Sequence, residues 1–315
     1  MLRWIAGLTV SIGTALILLS PPTAPAQAIK AALESATLAK TAAPQWPLDL
    51  GYKPADLHPL TLAPSGCPFI EATISGVPIS LMFDTGTAAG MVLTNSAPPV
   101  PYRVEGRGGE LNADGTPRGE SSRIRIEVLS VLGQVFKDVA GSLSDWKMFS
   151  SSPFNGTIGL DFFLDRRVTL DYRALKVGVS AAPLPSNLDS RRFVSVDLIE
   201  PPQSQGHILY IHARVNHRDA IIYLDTGYNV SFIDPDFVQG LPAVERPGKF
   251  KTFRQAVPME IGGQTFVLDD LRESPIRRGL GADRPVALTL GSDVLSRFII
   301  TIDLRARKLV FALGE

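Results

Sequence analysis

The apolar run Leu81-Met82-Phe83 leads into Asp84-Thr85-Gly86-Thr87, and the same figure returns as Ile222-Tyr223-Leu224 leading into Asp225-Thr226-Gly227-Tyr228. The match extends on both sides. Ala72 and Ala213 each lie twelve residues ahead of their Asp. Downstream, Ile158-Gly159 is repeated as Leu290-Gly291, and Val168-Thr169-Leu170-Asp171 as Ile300-Thr301-Ile302-Asp303. The three landmarks recur in one order, 141, 132 and 132 residues apart. Those intervals are far longer than the repeats of a solenoid, so a whole half-molecule is duplicated. A chain of this kind is constrained to fold as two similar bodies, each presenting one Asp at the end of a buried strand.

The duplicated Asp-Thr-Gly, with the apolar-Gly landmark behind each copy, resembles the aspartic protease superfamily over residues 68 to 315. Each half is closer in length to a retropepsin subunit than to a pepsin lobe. The resemblance implies a mainly β chain of two retropepsin-like β-barrel lobes in tandem, a pepsin-like pseudodimer with a cleft between them. It implies that Asp84 and Asp225 are the catalytic pair of an aspartic endopeptidase, that no cofactor or metal takes part, and that the substrate is a peptide or protein. A monomer suffices, because both halves lie on one polypeptide.

Alternation agrees with the β assignment. Phe69 to Ile74, Val77 to Phe83 and Arg123 to Val128 in the first half read as strands. Phe193 to Ile199, Ile208 to Val215, Ala220 to Leu224, Val257 to Ile261 and Thr265 to Leu268 do so in the second. Short helices are expected at Leu160 to Leu164 and near Asp293 to Ser296, with Asp161 and Asp293 as their caps. Gly-rich residues 102 to 122 stand where the superfamily places its mobile flap, which assigns Gly108, Gly109 and Gly115 to a cover over the substrate. Pro183, Pro185 and Asn187 mark a linker over 181–192 between lobes at 68–180 and 193–315.

The chemistry follows from two facing carboxylates. At about 3 Å they share one proton, so one acts as base toward water and the other as acid toward the scissile carbonyl. Gly86 and Gly227 allow the sharp turn that brings backbone N–H groups to each carboxylate. The resemblance assigns Thr85 and Thr226 to hydrogen bonds that lock the two loops together. Thr87 matches the small hydroxyl residue that follows the motif in the superfamily, and Tyr228 does not. On that reading Asp84 has a hydroxyl donor and is the ionised member, while Asp225 lacks one and is more readily protonated. The alternative is an inactive module of the same fold that binds peptide or a protein partner, with Tyr228 in the place of the water.

Other features bound the function. Lys and Arg number 31 and Asp and Glu 31, which gives no field toward nucleic acid or anionic lipid. The single cysteine, Cys67, forms no internal disulfide and is expected to be structural or incidental. His207, His212 and His217 are spaced by five, which puts neighbours on opposite faces of a strand and argues against a shared metal. Arg166-Arg167, Arg191-Arg192 and Arg277-Arg278 read as solvated loop charges. There is no Gly-x-Ser-x-Gly elbow. Arg3, the apolar run Ile5 to Leu19 and Ala26-Gln27-Ala28 form a signal peptide over residues 1–28, with export to a periplasm or the exterior expected. An uncleaved membrane anchor is the alternative, although the run is shorter than the ~20 residues of a spanning helix. Residues 29–67 are expected to be a tether or pro-segment.

Overall fold

The strand Val77–Phe83, which carries Asp84, is held between two partners distant in sequence. It pairs antiparallel with Pro68–Ile74 and parallel with Gly156–Ile158. The latter strand also pairs antiparallel with Met91–Thr94, so it is inserted between two strands that the Asp84 loop joins directly. The second half repeats this arrangement. Arg218–Leu224 pairs with Leu209–Val215 and, in parallel, with Val286–Leu290, which in turn pairs with Phe232–Ile233. The insertion explains the apolar-Gly landmarks: Ile158 and Leu290 are the buried last residues of the inserted strands, and their carbonyls accept from the Asp84 and Asp225 amides at 3.0 and 2.9 Å. The structure is a computed structural model. It describes residues 45–88, 90–95, 97–111, 117–145, 152–201, 206–248, 252–276 and 286–313. The expected signal peptide, Gly115 and the Arg277-Arg278 pair lie outside the described residues.

The fold is mainly β and two-lobed, as the duplication requires. Each lobe turns its first hairpin with two left-handed residues, Ser75 and Gly76 in one and Asn216 and His217 in the other. Two such residues match the twist of a tight hairpin. Asn216 tolerates the conformation and donates from its side chain to the carbonyls of Phe237 and Gln239 at 2.9 Å each. The first lobe adds a long hairpin, Arg103–Leu111 against Pro117–Val131, continued by Gln134–Ser144.

The lobes meet through one antiparallel sheet whose strands run Leu57–Pro59, Lys176–Ser180, Arg167–Asp171, Ile299–Asp303, Lys308–Ala312 and Phe193–Ile199. Its middle pair places Thr169 opposite Thr301, with the hydroxyl oxygens 2.6 Å apart. These residues occupy the same place in the two copies, so a local two-fold axis passes between them. The 132-residue spacing of the landmarks is the sequence record of that axis.

Residues 45–62 are part of this architecture, although the sequence groups them with a tether. Trp46 is buried and its indole N–H donates to Asp171 Oδ2 at 2.7 Å. Tyr52 Oη lies 2.8 Å from Thr169 Oγ1. A Cβ on Gly178 would come within 2.8 Å of Tyr52 and 3.0 Å of Trp46, so the glycine admits the two rings onto the sheet. Leu50, Phe193, Val310 and Ala312 complete this cluster. One member of each described arginine pair departs from a solvated reading, while Arg191 stays exposed. Arg167 is fully buried, with its guanidinium 4.4 Å from the Tyr52 ring centroid and hydrogen bonds to the carbonyls of Pro183 and Gly51. Arg192 pairs with Asp49 at 2.6 Å. Each finds its partner in a segment that only strand pairing brings near.

The short helices form, with different caps. Leu160–Phe163 is a 3-10 turn and Ser292–Leu295 an α-turn, and the N-cap residues are Gly159 and Gly291. Asp293 instead binds the hydroxyl and amide of Ser231 at 2.6 and 3.0 Å. Asp161 reaches His207 Nδ1, which lies in the second lobe just ahead of Leu209–Val215. Among the described residues no helix is long and apolar enough to cross a membrane.

Candidate functional site

The two Asp-Thr-Gly loops meet at the lobe interface. The amide N–H of Thr85 donates to Thr226 Oγ1 at 3.0 Å, and that of Thr226 donates to Thr85 Oγ1 at 3.1 Å. Each hydroxyl then donates onward to the opposite lobe, Thr85 to the Leu224 carbonyl at 3.0 Å and Thr226 to the Phe83 carbonyl at 2.5 Å. Both threonines are buried, so all four bonds are shielded from water. The β-branched frame holds each hydroxyl in a narrow range of χ1.

The grip brings the carboxylates face to face. A Cβ on Gly86 would lie 2.3 Å from Asp225 Oδ2, and one on Gly227 would lie 2.5 Å from Asp84 Oδ1. Only glycine permits each loop to approach the opposite carboxylate this closely. The Gly86 amide donates to Asp84 Oδ1 at 2.8 Å and the Gly227 amide to Asp225 Oδ1 at 2.9 Å. Behind the loops Gly159 and Gly291 are equally constrained. Their Cβ positions would fall 2.4 Å from the Thr87 carbonyl and 2.5 Å from the Val230 carbonyl.

The outer carboxylate oxygens are served differently. Thr87 Oγ1 donates to Asp84 Oδ2 at 2.6 Å and lies 3.0 Å from Thr157 Oγ1. In the second loop Tyr228 is exposed, its ring edge-on to Phe232 at 5.7 Å between centroids. The donor to Asp225 Oδ2 is Tyr223, two residues upstream, at 2.7 Å. The expectation that Asp225 lacks a hydroxyl donor is therefore corrected. Residues i and i+2 of a strand share a face, and Tyr223 reaches its neighbour's carboxylate along that face. The corresponding residue of the first copy is Met82, which packs with Cys67, Phe69 and Phe154 and donates nothing.

The environment acts on the pair in one direction. Burial, and then the charge of Asp225, push the Asp84 carboxyl up from 3.8 to about 7, against the lowering bonds from Thr87 and Gly86. Cys67 packs against the second loop, its Sγ 3.6 Å from the Gly227 carbonyl, and burial pushes its thiol up. It is thus a structural thiol. Ser292 ties the same loop from behind, its hydroxyl donating to the Thr226 carbonyl at 2.9 Å.

Sequence reasoning brought Asp84, Thr85, Gly86, Thr87, Asp225, Thr226 and Gly227 to one place. It missed Tyr223, Thr157 and Ser292. Gly108 and Gly109 lie on the long hairpin opposite Ser121 and Glu120. A Cβ on Gly108 would meet Ser121 and Arg123, and one on Gly109 would meet open space. Among the described residues no group of three or more His, Cys, Asp or Glu side chains is placed to hold a metal ion.

The described fold matches the crystal structure of an aspartic proteinase from Irpex lacteus with a TM-score of 0.58 and 12% sequence identity, over 82% of this chain and 98% of that one. The fold is that of a pepsin-like aspartic proteinase. No protein-family model matches the chain, and no curated protein matches it in sequence. Pepsin-like architecture thus holds at an identity where only the geometry of the loops speaks for chemistry.

Proposed function

We propose that the chain is an aspartic endopeptidase in which Asp84 and Asp225 share one proton and activate a water between them. The observation that carries this reading is the reciprocal Thr85–Thr226 grip, which aims a carboxylate from each lobe at the other and holds each by the amide of its own Gly. An endopeptidase without a metal or covalent nucleophile needs this pair: the ionised member removes a proton from water, and the protonated member donates to the carbonyl oxygen. Like charges this close resist ionising together, and the Asp84 carboxyl held near 7 agrees with a retained proton. An extended peptide lies between the lobes by backbone pairing with alternating side-chain pockets. The hairpin bearing Gly108 and Gly109 is its cover. The signal-like N-terminus supports export to a periplasm or the exterior, and a monomer is sufficient because both loops belong to one chain.

A second reading, a non-catalytic module that binds peptide or a protein partner, draws on the crowding near Asp225. Tyr223 Oη is 2.5 Å from the position of a Cβ on Gly86, which brings the phenol to the place where the loops meet. Hydrolysis of denatured casein by the full-length chain, scanned from acid to neutral pH, separates the two. Activity lost in Asp84→Asn and blocked by a statine-type inhibitor supports the endopeptidase. Folded protein that hydrolyses nothing at any pH moves the assignment to the binding module.

A further inference from the structure

The two copies of the loop use different hydroxyls. In the first, an aliphatic hydroxyl three residues after the Asp serves the outer oxygen. In the second, a phenol two residues before the Asp does so, and residue 228 turns to Phe232. Resting on the reading above, we propose that Tyr223 is a positioning residue that holds Asp225 as the ionised member of the pair and leaves the shared proton on Asp84.

Three observations carry the assignment. First, the phenol is the more acidic donor, and a more acidic donor binds the ionised form of a carboxylate more strongly. Second, the hydroxyls differ as acceptors. Thr87 has Thr157 Oγ1 at 3.0 Å as an alternative partner. Its proton can turn there while its oxygen accepts from a protonated Asp84. A phenol oxygen, its lone pair conjugated with the ring, is a poor acceptor and favours the arrangement in which it donates. Third, Tyr223 is held in place. It is fully buried, its ring lies 5.3 Å from that of Tyr210, and Ile208, Ile221 and Val286 pack around both. Little rotamer freedom is left to lose when the bond forms.

The other titratable groups facing the pair do not take over this role. Cys67, on the segment ahead of Pro68–Ile74, and Tyr172, just after Arg167–Asp171, are both pushed upward by burial. They stay neutral over the acid-to-neutral range.

The test isolates one carboxyl at a time. Side-chain carboxyl carbons of ¹³C-aspartate-labelled protein are titrated in full-length Asp84→Asn and in Asp84→Asn/Tyr223→Phe. Losing a hydrogen bond to the ionised form should move the Asp225 titration up by about one to two pH units. The acid limb of casein hydrolysis should move up likewise in Tyr223→Phe. Restoring a donor in Tyr223→Phe/Tyr228→Thr, which copies the Thr87 position of the first loop, should return it toward the original pH. The phenyl ring keeps the Tyr210 contact. If Tyr223→Phe does not fold, Tyr223→Met, the residue at that place in the first copy, replaces it. An Asp225 carboxyl that titrates at one pH with and without the phenol overturns the proposal. The titration needs no turnover, so a protein without peptidase activity but with the shift would sink the endopeptidase reading alone. Activity without the shift would sink only the role of Tyr223.

Discussion

The position of the Asp84 carboxyl makes stability itself a readout of the site. In the unfolded chain this carboxyl loses its proton near its ordinary value of 3.8, and in the folded protein it keeps it to about 7. Between those values the folded state binds more protons than the unfolded state, so stability falls as pH rises. The interval is about three pH units at about 1.4 kcal/mol each, or about 4 kcal/mol in all. That figure is a ceiling, because Asp84 is partly exposed at the lobe interface and water relieves some of the penalty. It is still a large part of the 5–15 kcal/mol that typically holds a domain together. Asp84→Asn removes the charge and keeps the shape. Its amide oxygen still accepts from the Gly86 N–H, and its NH2 meets Thr87 Oγ1, whose proton turns to Thr157. Urea unfolding of both proteins, followed by tryptophan fluorescence from pH 4 to 8, reads the effect of the pair, since the groups other than the coupled Asp225 contribute equally to each. The variant should match the parent at pH 4 and exceed it by up to about 4 kcal/mol at pH 8. A difference that stays constant, or that shrinks as pH rises, would refute the placement of the proton in a buried, charge-facing site.

Three further outcomes follow from the packing. Thr226→Val removes the hydroxyl that accepts from the Thr85 amide and donates to the Phe83 carbonyl. Stranding both buried groups should cost about 2–4 kcal/mol in denaturant unfolding and lower casein hydrolysis. Gly86→Ala drives a methyl group to within 2.3 Å of Asp225 Oδ2 and 2.5 Å of Tyr223 Oη. Initial-rate assays should show at least a ~100-fold loss as the carboxylates are pushed apart. Trp46→Phe deletes the indole bond to Asp171 under the interlobe sheet. Differential scanning calorimetry should register a loss of about 1–3 kcal/mol, whereas an unchanged transition would mean that residues 45–52 do not hold the sheet.

Much of the site was legible because its chemistry is local and written twice. Gly86 and Gly227 are needed where the chain turns under a carboxylate, Thr85 and Thr226 where a hydroxyl must stand rigidly beside it. Copying the whole half-molecule preserved both sets in register. The alternating strands left a period-two signature in each half, whereas the inserted Gly156–Ile158 and Val286–Leu290 strands, buried at every position, left only the apolar-Gly landmark. Tyr223 was within reach of the same reasoning, since a strand places residues 223 and 225 on one face. What alternation does not state is whether the phenol turns toward the carboxylate. Tyr210, on the paired strand, closes the other side and decides that.

The sequence by itself therefore determined a duplicated β chain with two Asp-Thr-Gly loops, because glycine, β-branched residues and alternation act over a few residues. Only the tertiary structure decided what each of those residues meets across the fold. It set Trp46 on Asp171, sank Arg167 beneath Tyr52, joined Asp161 to His207 from the other lobe, and gave Asp225 a phenol in place of the hydroxyl that serves Asp84. Apart from Tyr223, these partners lie tens of residues or more apart in the chain. Their meeting depends on strand register and on the two-fold arrangement about Thr169 and Thr301, where the burial of two cores, rather than any local preference, chooses the neighbours.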